Sequence, residues 1–96
     1  AAKVDENQSE IVAALRKAGC SVTPTHQAGS GFPDLVVGRI GKTYLLECKD
    51  GSKPPSKRKL TDDQVRWHGK WLGHKAVVCN VSEALEAVGI VAGVSE

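Results

Sequence analysis

Residues 34–49 read DLVVGRIGKTYLLECK. Two short apolar runs, at 34–40 and 43–49, flank the dipeptide Gly41-Lys42. Short apolar runs separated by a two-residue turn are typical of a β-hairpin, and a turn with glycine first suits type II′. We therefore expect two paired antiparallel strands with Gly41 and Lys42 as the turn.

This hairpin would gather ionisable residues on one face. With Gly41-Lys42 as the turn, Asp34 lies opposite Lys49. Because side chains alternate along a strand, Asp34, Glu47 and Lys49 then project from the same face. A cross-strand ion pair is the structural alternative. Three ionisable groups on a buried strand pair are nevertheless hard to explain by structure alone, since unpaired charge is disfavoured in a core.

The rest of the chain predicts helices around this hairpin. Apolar periodicity and turn residues give the remaining elements, a helix at 5–18, a strand at 20–25, a helix at 61–73, a strand at 75–81 and a helix at 82–89. Strands that are apolar on both faces and alternate with helices imply an α/β domain with a covered sheet. We expect one domain over residues 1–96.

Element ends are marked by capping residues. Asp5 is a plausible N-cap of the first helix, and Ser82 starts the last one. Trp67 and Trp71, four residues apart, are predicted to form the core face of the 61–73 helix. The tail after the last helix is predicted to fray.

Composition excludes several classes of protein. The 96 residues are 41% hydrophobic and 25% charged with a net charge of +2, as in ordinary globular domains. No apolar run is long enough to span a membrane, and no signal-peptide stretch opens the chain, so we expect a cytoplasmic protein. Cys20, Cys48 and Cys79 form no CxxC pair, which favours reduced thiols over disulfides or zinc ligands.

Two carboxylates and an amine can act together on a phosphate. Asp34 and Glu47, as diagonal neighbours on paired strands, would lie within reach of one Mg²⁺ ion, which prefers a few oxygen ligands and retained waters. The main-chain carbonyl of Cys48 is a further oxygen ligand. Lys49 would steady negative charge in the transition state of phosphodiester hydrolysis.

These residues resemble a known signature. GFPDLVVG followed by TYLLECKDG is similar to the motif of PD-(D/E)XK nucleases, with Pro33-Asp34 as its first half and Glu47-Cys48-Lys49 as its second. AGSGFPDLVVG also resembles archaeal Holliday-junction resolvases, and the small size resembles stand-alone VRR-NUC domains of phages and prophages. The resemblance covers roughly residues 5–88. It implies a restriction-endonuclease-like αβββαβ core, with a mixed central sheet flanked by helices, and Mg²⁺- or Mn²⁺-dependent DNA cleavage.

The resemblance also implies helical site residues. Such nucleases add an acid from the first helix, and we assign Glu10, although Glu6 and Gln8 compete with it. Gln64 falls where the family places a helical glutamine, but Thr61 to Gln64 also has the pattern of a capping box. A catalytic role for His68, one turn later, is the minority interpretation.

A basic loop follows the second strand. Its cations, with Ser30 of the glycine-rich loop, are candidates to bind DNA phosphates; they are Lys53, Lys57, Arg58 and Lys59. A solvated loop that only aids solubility is the alternative.

The predicted function is a structure-specific DNA endonuclease that acts as a homodimer on branched DNA such as Holliday junctions. No membrane partner and no cofactor besides the metal are expected. The alternatives are a nucleic-acid-binding or subunit domain without turnover, and an RNA-processing endonuclease. A sequence-specific restriction enzyme is disfavoured, because no segment remains to recognise base edges.

Overall fold

Strands and helices alternate along residues 6–91, the part of the chain that the computed structural model describes. The elements are α1 (Gln8–Lys17), β1 (Ser21–Pro24), β2 (Leu35–Arg39), β3 (Lys42–Cys48), α2 (Asp62–Lys70), β4 (Ala76–Val78) and α3 (Val81–Ala87), with short 3₁₀ turns at His26–Ala28 and Pro55–Lys57. None of the helices in this range combines the length and the apolar composition that crossing a membrane requires.

The strands form one mixed sheet in the order β1-β2-β3-β4. The first three strands are antiparallel neighbours, and β4 runs parallel to β3. Helices α1 and α3 pack against each other and cover one face of the sheet. Helix α2 lies over the other face, where it contacts Glu47. The predicted αβββαβ core with a sheet flanked by helices is confirmed.

The hydrophobic core lies between the sheet and the α1–α3 pair. Its buried members alternate along β2 and β3 with the residues of the opposite face, as the period of two requires. The cluster contains Ile11, Val12, Leu15, Cys20, Val22, Leu35, Val37, Leu46, Cys48, Val78, Ala84 and Val88. Cys48 thus faces the core, on the side of β3 opposite to Glu47.

The hairpin turn lies one residue earlier than predicted. Arg39 pairs with Lys42, so the turn residues are Ile40 and Gly41. Both have positive φ, 48° and 74°, as a type I′ turn requires, so the predicted type II′ turn at Gly41-Lys42 is wrong. Moving the turn by one residue shifts the strand register by two, and an even shift leaves every side chain on its predicted face.

Helices α1 and α3 each have an asparagine at the N-cap position. Helix α3 starts one residue before Ser82, because the side chain of Asn80 accepts a hydrogen bond from the Glu83 amide and caps the helix. The predicted cap at Asp5 lies outside the described residues, as does the tail at 92–96, and Asn7 occupies the N-cap position of α1.

The predicted core face of α2 is wrong. Trp67 is only half-buried and Trp71 is 39% exposed, whereas His68 is the buried residue of this helix. The reason is that the buried group of the sheet that α2 contacts is the Glu47 carboxylate. Gln64 and His68, one turn apart, are directed at Glu47, so the two tryptophans cannot occupy the inward side of the helix.

We predict that Ile40→Asn stabilises the protein. A β-branched residue at positive φ is strained, and Ile40 is 82% exposed, so the side chain contributes little packing in return. Asn-Gly suits a type I′ turn, and relief of the strain should raise the free energy of unfolding by about 1 kcal/mol. Urea denaturation measures this change.

The control is Ile40→Val, which keeps β-branching and should leave stability nearly unchanged. Equal stabilisation by both substitutions would contradict the type I′ explanation.

Candidate active site

A pocket of about 390 Å³ opens on the face of the sheet that α2 covers. Three parts of the chain meet there, namely the glycine-rich loop before β2, the ends of β2 and β3, and the first turn of α2. The lining residues are His26, Gly29, Ser30, Gly31, Phe32, Asp34, Glu47, Lys49, Thr61, Asp63 and Gln64. The sequence-predicted Asp34, Glu47, Lys49, Gln64 and Ser30 therefore share one pocket.

Asp34 lies immediately before β2 and is half-buried. Its Oδ2 accepts a hydrogen bond of 2.8 Å from the Cys48 amide, which fixes the carboxylate against the end of β3. The register that pairs Leu35 with Leu46 places Asp34 opposite Glu47 when it is continued by one residue. The two acids are thus direct cross-strand neighbours, closer than the predicted diagonal arrangement.

Glu47 is an acid in the interior, only 1% exposed. Its Oε2 accepts a hydrogen bond of 2.9 Å from Gln64 Nε2, and its Oε1 lies 3.9 Å from His68 Nε2. Burying a carboxylate is costly unless polar partners or a cation compensate. The burial of the Glu47 carboxylate therefore indicates that this group has a role other than packing.

Lys49, the residue that follows β3, joins the same hydrogen-bond network. Its Nζ donates a hydrogen bond of 2.9 Å to Gln64 Oε1, and the amide of Thr61 donates to the same oxygen. The Gln64 amide in turn donates to Thr61 Oγ1, so the predicted capping box is present. The sequence left helix capping and a role in the site as alternatives for Gln64. The structure shows both, because the Gln64 side chain has an acceptor oxygen as well as donor N–H groups.

His68 completes the polar face of α2. Burial is the main cause that lowers its pKa, and the positive charges of Lys75 and Lys49 lower the pKa further. The imidazole is therefore biased toward its neutral form next to Glu47. Its ring also contacts Trp67 edge-on, with centroids 5.3 Å apart.

The glycine-rich loop approaches α2 closely. Gly31 has a φ of 82°, and a Cβ atom there would collide with the main-chain carbonyl of Asp63. Glycine is thus required to bring the loop against the first turn of the helix. This contact places Ser30 at the rim of the pocket.

Sequence reasoning missed two residues that brace the site. Asn7 Nδ2 donates to the carbonyls of Lys49 and Cys79, at 3.1 and 3.0 Å, and so ties the end of β3 to the chain after β4. Asp50 is 7% exposed, and hydrogen bonds from the hydroxyl and amide of Ser52 lower its pKa. The Asp-Gly-Ser pattern after Lys49 is a turn signal that indicated Asp50, whereas nothing in the sequence indicated Asn7.

Glu10 does not join this pocket. The inward face of α1 carries Gln8 and Ile11, so Glu10 points outward and is exposed. It lines a separate groove that also contains Asp50 and Asn80. The structure therefore brings Glu10 together with Asp50 and not with Asp34.

The basic loop also lies away from the pocket lining. Within the described part of the chain the lining includes Ser30 but none of the four loop cations. Arg58 Nε donates to the carbonyl of Lys53, which orders the loop around its 3₁₀ turn.

The donor set suits a hard divalent cation. Residues 6–91 contain no group of three or more His, Cys, Asp and Glu side chains arranged to hold a metal ion. The pocket has a third carboxylate, Asp63, which forms an ion pair with Arg66. Asp34 and Glu47 do not meet the four-ligand demand of structural zinc, but they match Mg²⁺, which binds through one or two carboxylates and retains waters. Asp34 and Glu47 thus fit an oxygen-preferring ion.

Comparison with known proteins supports the fold. The chain matches no protein-family model and no curated protein sequence. A solved structure described as a VRR_NUC domain is similar to it, with a TM-score of 0.61 and 20% identity over 85% of this chain and 94% of that chain. The chain therefore has the fold of a VRR_NUC domain, the PD-(D/E)XK nuclease fold that its sequence motif predicts.

Proposed function

We propose that this protein is a nuclease that hydrolyses DNA phosphodiester bonds with Mg²⁺ or Mn²⁺. The observation that carries the proposal is the convergence of Asp34, Glu47 and Lys49 on one pocket, with Glu47 almost fully buried. A buried acid beside an amine, at the rim of an open pocket, is more useful to catalysis than to stability.

Asp34 and Glu47 are the proposed metal ligands, with the main-chain carbonyl of Cys48 as a third oxygen. A divalent cation bound there supplies a Lewis acid for the phosphate and lowers the pKa of a bound water. The hydrogen bond from the Cys48 amide to Asp34 holds that carboxylate in place, which limits the reorganisation needed on binding.

Lys49 and Gln64 act on the reacting groups. The Lys49 ammonium lines the same pocket as both acids and would balance the negative charge that grows on the phosphate oxygens. Gln64 holds Lys49 and Glu47 at the same time, and its amide can also position an attacking water. Its place in the capping box keeps the side chain ordered before substrate binds.

DNA would reach this pocket across a basic surface. Lys53, Lys57, Arg58 and Lys59 are proposed to hold phosphates away from the cut, and Ser30 to contact the strand at the pocket rim. We further propose specificity for branched DNA, cut by a homodimer in the cytoplasm, because two cuts at a junction require two active sites.

A cleavage panel tests the proposal. Single-stranded, duplex, flap and four-way-junction DNA, and RNA of matched sequence, are each incubated with EDTA, Mg²⁺ or Mn²⁺. We expect cleavage of branched DNA in either metal and none in EDTA. Cleavage confined to RNA would favour an RNA-processing enzyme, and no cleavage of any substrate would favour a nucleic-acid-binding domain.

Neutralising either acid should abolish turnover. Asp34→Asn and Glu47→Gln keep size but weaken metal binding, so we expect cleavage rates to fall at least about 100-fold. The matched control, Glu86→Gln on the exposed face of α3, should cut at the wild-type rate. Wild-type activity in either site variant, with the fold confirmed by circular dichroism, would exclude the proposed metal ligands.

Gln64→Ala should lose more activity than its loss of stability explains. Removing the side chain of Gln64, the N3 partner of Thr61 in the capping box, is expected to cost about 1 kcal/mol of unfolding free energy. Asn80→Ala, which removes the N-cap side chain of α3 away from the pocket, should cost a similar amount. We expect at least a tenfold lower cleavage rate for Gln64→Ala and an unchanged rate for Asn80→Ala, both measured where each variant is folded. If Gln64→Ala and Asn80→Ala cleave DNA at equal rates, the Gln64 side chain acts only in helix capping.

A further inference from the structure

A second groove adjoins the candidate active site along the outer side of α2. It has a volume of about 300 Å³ and is lined by Ser30, Asp63, Arg66, Trp67 and Lys70. Ser30 and Asp63 also line the active-site pocket, so the two depressions are continuous. Whatever occupies the groove would lie directly beside the group bound near Asp34.

Trp67 is the aromatic residue in the lining of this groove, and two further aromatic rings pack against it. Trp67 is half-buried and stacks on Trp71, with ring centroids 5.0 Å apart and planes 17° from parallel. Phe32 meets the same indole edge-on at 5.3 Å. Trp71 remains 39% exposed. The stack thus stands at the surface rather than in the core, and such an arrangement suits a planar ligand.

The rim of the groove is cationic. Arg66 and Lys70 are both exposed and lie one turn apart on α2, so they project from the same side of the helix. Asp63 forms an ion pair with Arg66, which offsets part of the Arg66 charge but leaves Lys70 to face solvent next to Trp67. Cations beside a half-buried indole match a phosphate attached to a base.

We propose that this groove binds an unpaired nucleotide next to the scissile phosphate, with its base against Trp67 and its phosphate between Arg66 and Lys70. The inference rests on the proposed nuclease function and names the kind of DNA that the site accepts. In an intact duplex each base is stacked on its neighbours, and removing it costs a few kcal/mol. The preferred substrate therefore carries single-stranded DNA at the cut, as at a flap or a splayed junction.

A scan with abasic nucleotides tests the stacking contact. Fluorescein-labelled single-stranded oligonucleotides, each lacking one base, are titrated in EDTA so that no DNA is cut, and Kd is read from anisotropy. We expect one position at which the missing base weakens wild-type binding about tenfold. In Trp67→Leu the same oligonucleotide should bind as the complete one does. A tenfold penalty that survives in Trp67→Leu, or no position with a penalty, would overturn the proposal.

A second measurement leaves Trp67 in place. The chain has two tryptophans, so Trp71→Phe makes Trp67 the only indole, and stacking on a base should quench its emission when the oligonucleotide is added. Unchanged emission at saturating DNA would overturn the stacking contact even if Trp67→Leu does not fold.

The phosphate contacts are tested by removing both rim cations. Arg66→Ala with Lys70→Ala should lower the slope of log Kd against log salt concentration by roughly 0.7, the value for one phosphate contact on a single strand. The control, Lys17→Ala with Lys42→Ala, removes two exposed charges outside the groove and should leave the slope unchanged. Equal slopes for both double variants would overturn the phosphate contacts.

Failure of this inference differs from failure of the proposed function. If wild-type protein cuts DNA in Mn²⁺ but shows no abasic penalty, the groove assignment falls and the nuclease assignment stands. If the wild type cuts no DNA, the nuclease assignment falls first.

Discussion

The pairing of β2 with β3 is the constraint on which the rest of the structure depends. Leu35 opposite Leu46 directs one set of side chains into the core beneath α1 and α3. The same register leaves Asp34, Glu47 and Lys49 on the other face. A slip by one residue would bury the charges and expose the leucines, so the core itself protects the site geometry. An even slip changes which residues are opposite but not which face they share.

Helix α2 is joined to this face of the sheet by side-chain hydrogen bonds. Gln64 joins the Thr61 cap, the Lys49 ammonium and the Glu47 carboxylate, and His68 lies one turn further along. The side-chain amide of Gln64 therefore contributes both to the stability of α2 and to the arrangement of the pocket. The arrangement also explains why neither tryptophan of α2 lies in the core, and why Trp67, stacked on Trp71, lines the groove next to the pocket.

Much of this could be predicted from the sequence, because alternation along short strands is a strong signal. The hairpin, the shared face of the two acids and Lys49, and the capping box at Thr61 all follow from local patterns. The turn was misplaced because Ile40 adopts a left-handed conformation that β-branched residues avoid. The orientation of α2 and the position of Glu10 were also not predictable, since both depend on which helix face meets a sheet that is polar on one side.

We propose that Asp34 and Glu47 hold a divalent cation where the start of β2 meets the end of β3. Paramagnetic broadening of backbone amide NMR signals by Mn²⁺ at low stoichiometry tests this binding directly. We expect the broadening to centre on Cys48, Lys49 and Gln64 and to disappear in Asp34→Asn. Broadening centred on Glu10 and Asp50, or spread evenly over exposed acids, would contradict it.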